Sequence, residues 1–218
     1  PGADHPILNR LRDVRTTTPG RQLIACIDVH GEEGRFGKRS PVFEEMQWMS
    51  LATIGSGFQG IAWRGKTDDL PYKDRLDLFT GNILHYASEL SQAEPVDWVT
   101  PVPAAAATQT TGPAADGSPA GVVLLSSLRT SKHLFVALLR PDYMLPRTGE
   151  LVAPLPLGPL AVRDCSIAVR TPCGTKLSSG KRLDGTPLTL LRDGDRILVP
   201  CRFAGGGTML VFNLKGQP

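Results

Sequence analysis

The sequence has few of the groups that most chemistries need in clusters. Its 218 residues hold four cysteines, four histidines, three tryptophans and three tyrosines. No two cysteines stand at a C-x-x-C spacing, and His5, His85 and His133 make no ligand spacing with cysteines or acids, so neither a zinc site nor any other metal is expected. No G-x-G-x-x-G, Walker or G-x-S-x-G pattern occurs, and Gly31-Glu-Glu-Gly34 is too weak to be a phosphate loop, so no cofactor is expected. No apolar run reaches the roughly 18 residues that a membrane helix requires, so no membrane partner is expected. Charge of one sign is also missing in bulk. The formal net charge is +3, divided as −2 over residues 1–95 and +5 over residues 96–218. The basic residues of the second part are scattered singly, without interleaved aromatics, which argues against nucleic acid.

What is present is apolar material in two distinct rhythms. Apolar residues make up 41% and charged residues 21% of the chain, a globular composition. Residues 22–29 (QLIACIDV) are a continuous apolar run broken late by Asp28, the mark of a strand buried on both faces, with Cys26 read as a small core residue. Residues 30–39 read as a Gly-rich, charged loop. Ser40-Pro41 opens a helix, Ser as N-cap and Pro at the first helical position, and Gly55-Ser56-Gly57 stops it. Residues 58–64 (FQGIAWR) form a second strand. A second helix is expected from about Tyr72 to Gln92, where Leu76, Phe79, Ile83, Tyr86 and Leu90 recur at steps of three or four. Ile7, Leu8, Leu11 and Val14 share that spacing over residues 4–15, as the tail of a preceding helix would.

Strand, helix, strand, helix favours parallel strands. Two such strands cannot cover both faces of a parallel sheet, and a closed barrel needs about 250 residues and eight strands. The first part is therefore expected to be the C-terminal portion of a larger protein, or to dock onto something else. An open flavodoxin-like sheet completed by another chain is a further reading.

Residues 100–119 carry four prolines (Pro101, Pro103, Pro113, Pro119), with many Ala and Thr, and read as an exposed linker. Beyond it, short apolar runs alternate with turn signals. Residues 121–127 and 133–140 are strands; residues 141–159 are a proline-rich loop; residues 161–170 resume a strand. Asp184-Gly185 and Asp193-Gly194 mark hairpins, the second more sharply. Gly205-Gly206-Gly207 marks another turn before a last strand over residues 208–214. This spacing means an antiparallel sandwich. Cys165 and Cys201 fall on two of its strands and could be neighbours, as reduced core thiols or as a disulfide. The division is thus an α/β part over 1–99, a linker over 100–119 and an all-β sandwich over 120–218.

This order of parts resembles the C-terminal end of a TIM-barrel glycoside hydrolase of the β-galactosidase-like kind, clan A type. Residues 23–29 resemble its seventh barrel strand, residues 43–57 the helix that follows, residues 58–63 the eighth strand, residues 82–90 the closing helix, and residues 161–214 the trailing sandwich. The resemblance implies a fold of α/β plus all-β class, an incomplete (β/α) barrel followed by the sandwich, with an N-terminal barrel segment supplied elsewhere or an oligomer in its place. It implies a carbohydrate substrate, hydrolysis of O-glycosidic bonds in the complete chain, and an extracellular or periplasmic setting. It places function at the C-terminal ends of the strands. There Asp28 and Glu32 are the candidates for one carboxyl group of the pair that glycoside hydrolysis uses, and His30, Trp63 and Arg64 are candidate substrate-binding residues.

Each candidate has a plainer reading. Asp28 could be tied into a neighbouring strand. His30 could be a hydrogen-bonded rim residue, and Glu32 and Glu33 solvated loop charges. Trp63 could fill core space instead of stacking on a sugar, and Arg64 could face solvent instead of binding a carboxylate. The alternative function is a non-catalytic sandwich, acting as a structural, carbohydrate-binding or assembly module beside a remnant barrel segment. Few aromatics on its strands favour the structural form.

Overall fold

The computed structural model describes residues 6–28, 41–68, 70–102, 123–140 and 162–216. The expected loops over 30–39 and 141–159, and most of the linker, lie outside these residues.

The first part runs α1 (Pro6–Thr17), β1 (Ile24–Asp28), α2 (Phe43–Gly55), β2 (Gly60–Arg64), α3 (Lys73–Leu84) and α4 (Ala87–Leu90). β1 and β2 pair in parallel, in register from Ile24 opposite Gly60 to Asp28 opposite Arg64. Parallel neighbours need a crossover, and α2 lies within it. Together they form a two-stranded sheet, and no barrel is formed by the described residues.

α2 starts at Phe43, two residues later than Pro41 would place it. Val42 is extended, at φ −87° and ψ 165°, and its N–H donates to the Glu45 carboxylate at 2.8 Å, closing the first turn from within the helix. The helix expected over 72–92 is broken in two. His85 and Tyr86 interrupt it, and the buried Tyr86 ring meets His133 and Phe135 edge-on, at centroid distances of 5.6 and 5.4 Å. These rings belong to the sandwich, so a tertiary contact sets the break.

Among the described residues, the second part is an antiparallel sandwich of nine strands: β3 (Glu94–Pro95), β4 (Val99–Val102), β5 (Leu124–Arg129), β6 (His133–Leu139), β7 (Arg163–Val169), β8 (Lys176–Arg182), β9 (Leu191–Asp193), β10 (Arg196–Phe203) and β11 (Gly207–Lys215). One sheet has the order β3-β5-β6-β11-β8 and the other β4-β7-β10-β9. Gly194, at φ +62°, turns β9 into β10, as the Asp-Gly pair foretold. Residues 100–102, assigned above to the linker on composition, are strand: β4 pairs with β7 from Val99 opposite Val169 to Val102 opposite Ser166. Pro101 is tolerated because β4 is an edge strand. Trp98, beside it, packs on the sandwich core.

Between the sheets, Leu134, Val136, Leu138, Leu210 and Phe212 meet Ile167, Val169, Val199 and Phe203. The alternate residues of β6 and β11, among them Phe135, Leu139, Met209 and Val211, are also buried, but in a second core shared with Met46, Trp48, Leu51 and Ala52 of α2. α2 therefore lies between the parallel pair and the five-stranded sheet. Ten of its thirteen residues are buried, Glu45, Ser50 and Thr53 among them. Its hydroxyls bond back along the helix, Ser50 to Met46 O and Thr53 to Met49 O, so none is left unpaired in the core.

The fit of α2 to the sandwich is close at two glycines. A Cβ at Gly206 would lie 2.3 Å from the Glu44 carbonyl oxygen and 2.8 Å from Trp48 Cβ. A Cβ at Gly55 would lie 2.9 Å from Ser126 Cβ. Trp48 Nε1 donates to the Arg140 carbonyl at 3.1 Å, and Ser126 Oγ donates to the Gly55 carbonyl.

Candidate functional site

The two parallel strands end together, Asp28 opposite Arg64. Side chains alternate across a strand, so the pair has two faces. Ile27, Ile61 and Trp63 lie on the helix face, Ile27 buried and the other two partly buried against the core around α2. Cys26, Ala62 and Arg64 are exposed on the other face, and Ile24 there is 67% exposed. The apolar run of β1 promised burial on both faces. One face is covered and one is not, so Cys26 is exposed rather than in a core.

This alternation sorts the candidate residues. Arg64 stands at the strand end on the open face. Trp63 is turned to the helices and partly buried against their core. Asp28 ends β1 as Arg64's register partner. His30 and Glu32, with Glu33, lie outside the described residues. The backbone thus brings Asp28 and Arg64 together and separates Trp63 from them by strand alternation.

A second concavity, of about 200 Å³, lies where the helices meet the sandwich. Phe43, Gln47, Arg75 and Asn82 line one side, and Arg182 and Asp184 the other. Arg75 donates to Glu44 at 2.9 Å and sits 4.0 Å from the centroid of the Phe43 ring. Burial alone would raise the Asp184 carboxyl. The Thr186 N–H, the Thr186 hydroxyl and the Arg182 guanidinium outweigh that and hold it below the usual carboxylate range. In the sequence, Asp184-Gly185 reads as a hairpin turn. Their nearness to α2 and α3 comes from contacts distant in the chain, and no local pattern carries it.

Among the described residues, no group of three or more His, Cys, Asp or Glu is placed to hold a metal ion, and no helix is long and apolar enough to cross a membrane.

No family model matches the sequence, and no curated protein matches it. Solved structures do. Among the neighbours are a fucosidase and a glucanotransferase. The alpha-fucosidase of Thermotoga maritima is similar with a TM-score of 0.43 and 13% identity, over 89% of this chain and 40% of that one. The same enzyme with a mechanism-based inhibitor gives a TM-score of 0.45 at 13% identity, over the same shares. A Paenibacillus sp. cycloisomaltooligosaccharide glucanotransferase gives 0.41 and 10%, over 77% of this chain and 27% of that one. The chain spans about 40% of the length of the fucosidase chains. At this level the likeness assigns no role to any residue here.

Proposed function

We propose that this chain is the C-terminal part of a glycoside hydrolase-like protein that cleaves O-glycosidic bonds when complete. The observation that carries the reading is the parallel pair itself. β1 and β2 are joined through a helix and covered by helices on one face, while Ile24, Cys26 and Ala62 are bare on the other. Parallel sheets are stable when both faces are covered. On this reading β1 and β2 are the last two strands of a (β/α) barrel, and the bare face looks into its interior.

Function then sits at the strand ends. Asp28 supplies one carboxyl group of the catalytic pair, with Glu32 on the following loop as the alternative, and the partner carboxyl comes from a strand outside this sequence. Arg64, always charged, holds the substrate by charge-assisted hydrogen bonds, and His30 joins the substrate-binding rim. Trp63 supports the strand end from behind by packing.

The test is turnover of aryl glycosides by a longer protein that contains this chain, beside the 218-residue chain alone. The longer protein should turn over and the short chain should not. Asp28→Asn or Glu32→Gln should lower kcat by on the order of 10⁴-fold, as loss of a member of a catalytic unit does. Full activity in both variants would reject the assignment. A second reading, the sandwich as a structural module, is favoured by the core it shares with α2, which spends one face of its five-stranded sheet on packing.

A further inference from the structure

Cys165 of β7 and Cys201 of β10 stand directly opposite each other in the antiparallel ladder. Both point into the core between the sheets, with Ile167, Val199 and Phe203, and their exposures are 8% and 6%. Both are free thiols. We propose that they are a cross-strand dithiol, a site of reversible oxidation to an intramolecular disulfide that staples β7 to β10.

Geometry supports the closure. Directly opposed residues of an antiparallel pair hold their Cβ atoms about 4.5–5.5 Å apart, and a disulfide needs about 3.5–4.5 Å. An approach of roughly 1 Å between two neighbouring strands is enough. The neighbouring Cys165 thiol, then burial, pushes the Cys201 thiol well above its ordinary value, against the opposing pull of the nearby Arg182 charge. The Cys201 thiol also donates to the Val199 carbonyl at 3.3 Å. Cys26 and Cys173 differ from this pair in being exposed.

The oxidant is a low-molecular-weight disulfide such as oxidised glutathione. The thiolate of Cys165 attacks one of its sulfurs, forming a mixed disulfide and releasing one thiol. Cys201, after losing its proton, attacks the Cys165 sulfur and releases the second. Two protein thiols give up two electrons and two protons, and one disulfide becomes two thiols. With its proton held tightly, Cys201 makes the second step slow, so reaction over hours is expected.

The test uses the full chain with the exposed pair removed, Cys26→Ser/Cys173→Ser, incubated with oxidised glutathione and followed by intact mass. The expected result is a loss of about 2 Da, the two thiol hydrogens, with no thiol titrating after unfolding. A peptide joined through Cys165 and Cys201 should appear without reductant and vanish with dithiothreitol. Tm should rise by roughly 5 °C on oxidation, because the loop from 165 to 201 is closed in the unfolded chain. An unchanged mass with both thiols titrating after unfolding would overturn the proposal, and so would stable glutathione adducts. The same peptide map on the unsubstituted chain guards against a folding defect in the variant: a Cys165–Cys201 bond there upholds the proposal, and its absence overturns it.

Discussion

Replacement of Trp48 tests the idea that α2 and the sandwich share one core. Trp48 is fully buried at the centre of α2, and its indole N–H is the donor to Arg140 O across the interface. Truncation to alanine removes a large buried side chain, which costs about 3–5 kcal/mol with its residual cavity. It also strips a buried carbonyl of its donor, about 1–3 kcal/mol more. Gly206 sits against Trp48 Cβ, and that close approach limits how far the cavity can collapse. Trp48→Ala should therefore destabilise by about 4–8 kcal/mol, a large share of the roughly 5–15 kcal/mol that domains possess. Trp48→Phe keeps most of the packing and loses the donor, so about 1–3 kcal/mol is expected. Urea unfolding followed by far-UV circular dichroism reads this without relying on the fluorescence of the three tryptophans. The chain should unfold in one transition, displaced in both variants. A loss below about 1 kcal/mol for Trp48→Ala would refute the shared core, as would a separate sandwich transition that the substitution does not move.

Other consequences are sharper in sign than in size. Gly206→Ala must push the β10–β11 turn off α2, since the new Cβ meets Glu44 O at 2.3 Å; a loss of at least about 2 kcal/mol should show in the same assay. Ile24→Lys should change the stability of this chain by no more than about 0.5 kcal/mol, because the side chain is 67% exposed. In a longer protein whose barrel interior includes that position, the same change buries an unpaired charge and should prevent folding, so equal tolerance in both proteins would count against the barrel. Asp184 has a lowered pKa in the folded state. Its contribution is then present above the unfolded value, about 3.9, and is lost as pH falls through the lower folded value. Asp184→Asn should lower stability at pH 7 by less than about 1 kcal/mol because the side chain is 48% exposed, and should flatten the acid limb below pH of about 4. An unchanged acid limb would show that the carboxylate contributes nothing.

Much of the fold was readable locally because its signals are local. The apolar run of β1, the Gly-Ser-Gly stop of α2 and the Asp193-Gly194 turn each act over a few residues, and strand–helix–strand order implied the parallel pairing that β1 and β2 adopt. Three things were decided by parts far apart in sequence. Tyr86 leaves the helix because Phe135 and His133 receive its ring. Pro101 joins a strand because β7 offers an edge. β6 reads as continuously apolar because α2 covers its second face, while β1 reads the same way and has one face bare. Trp63 falls on the helix side and Arg64 on the open side for the same reason: alternation is written in the chain, but which side is covered depends on what packs there. Hydrophobicity records how much a residue gains by leaving water. The neighbour that takes it out of water is chosen by the tertiary structure.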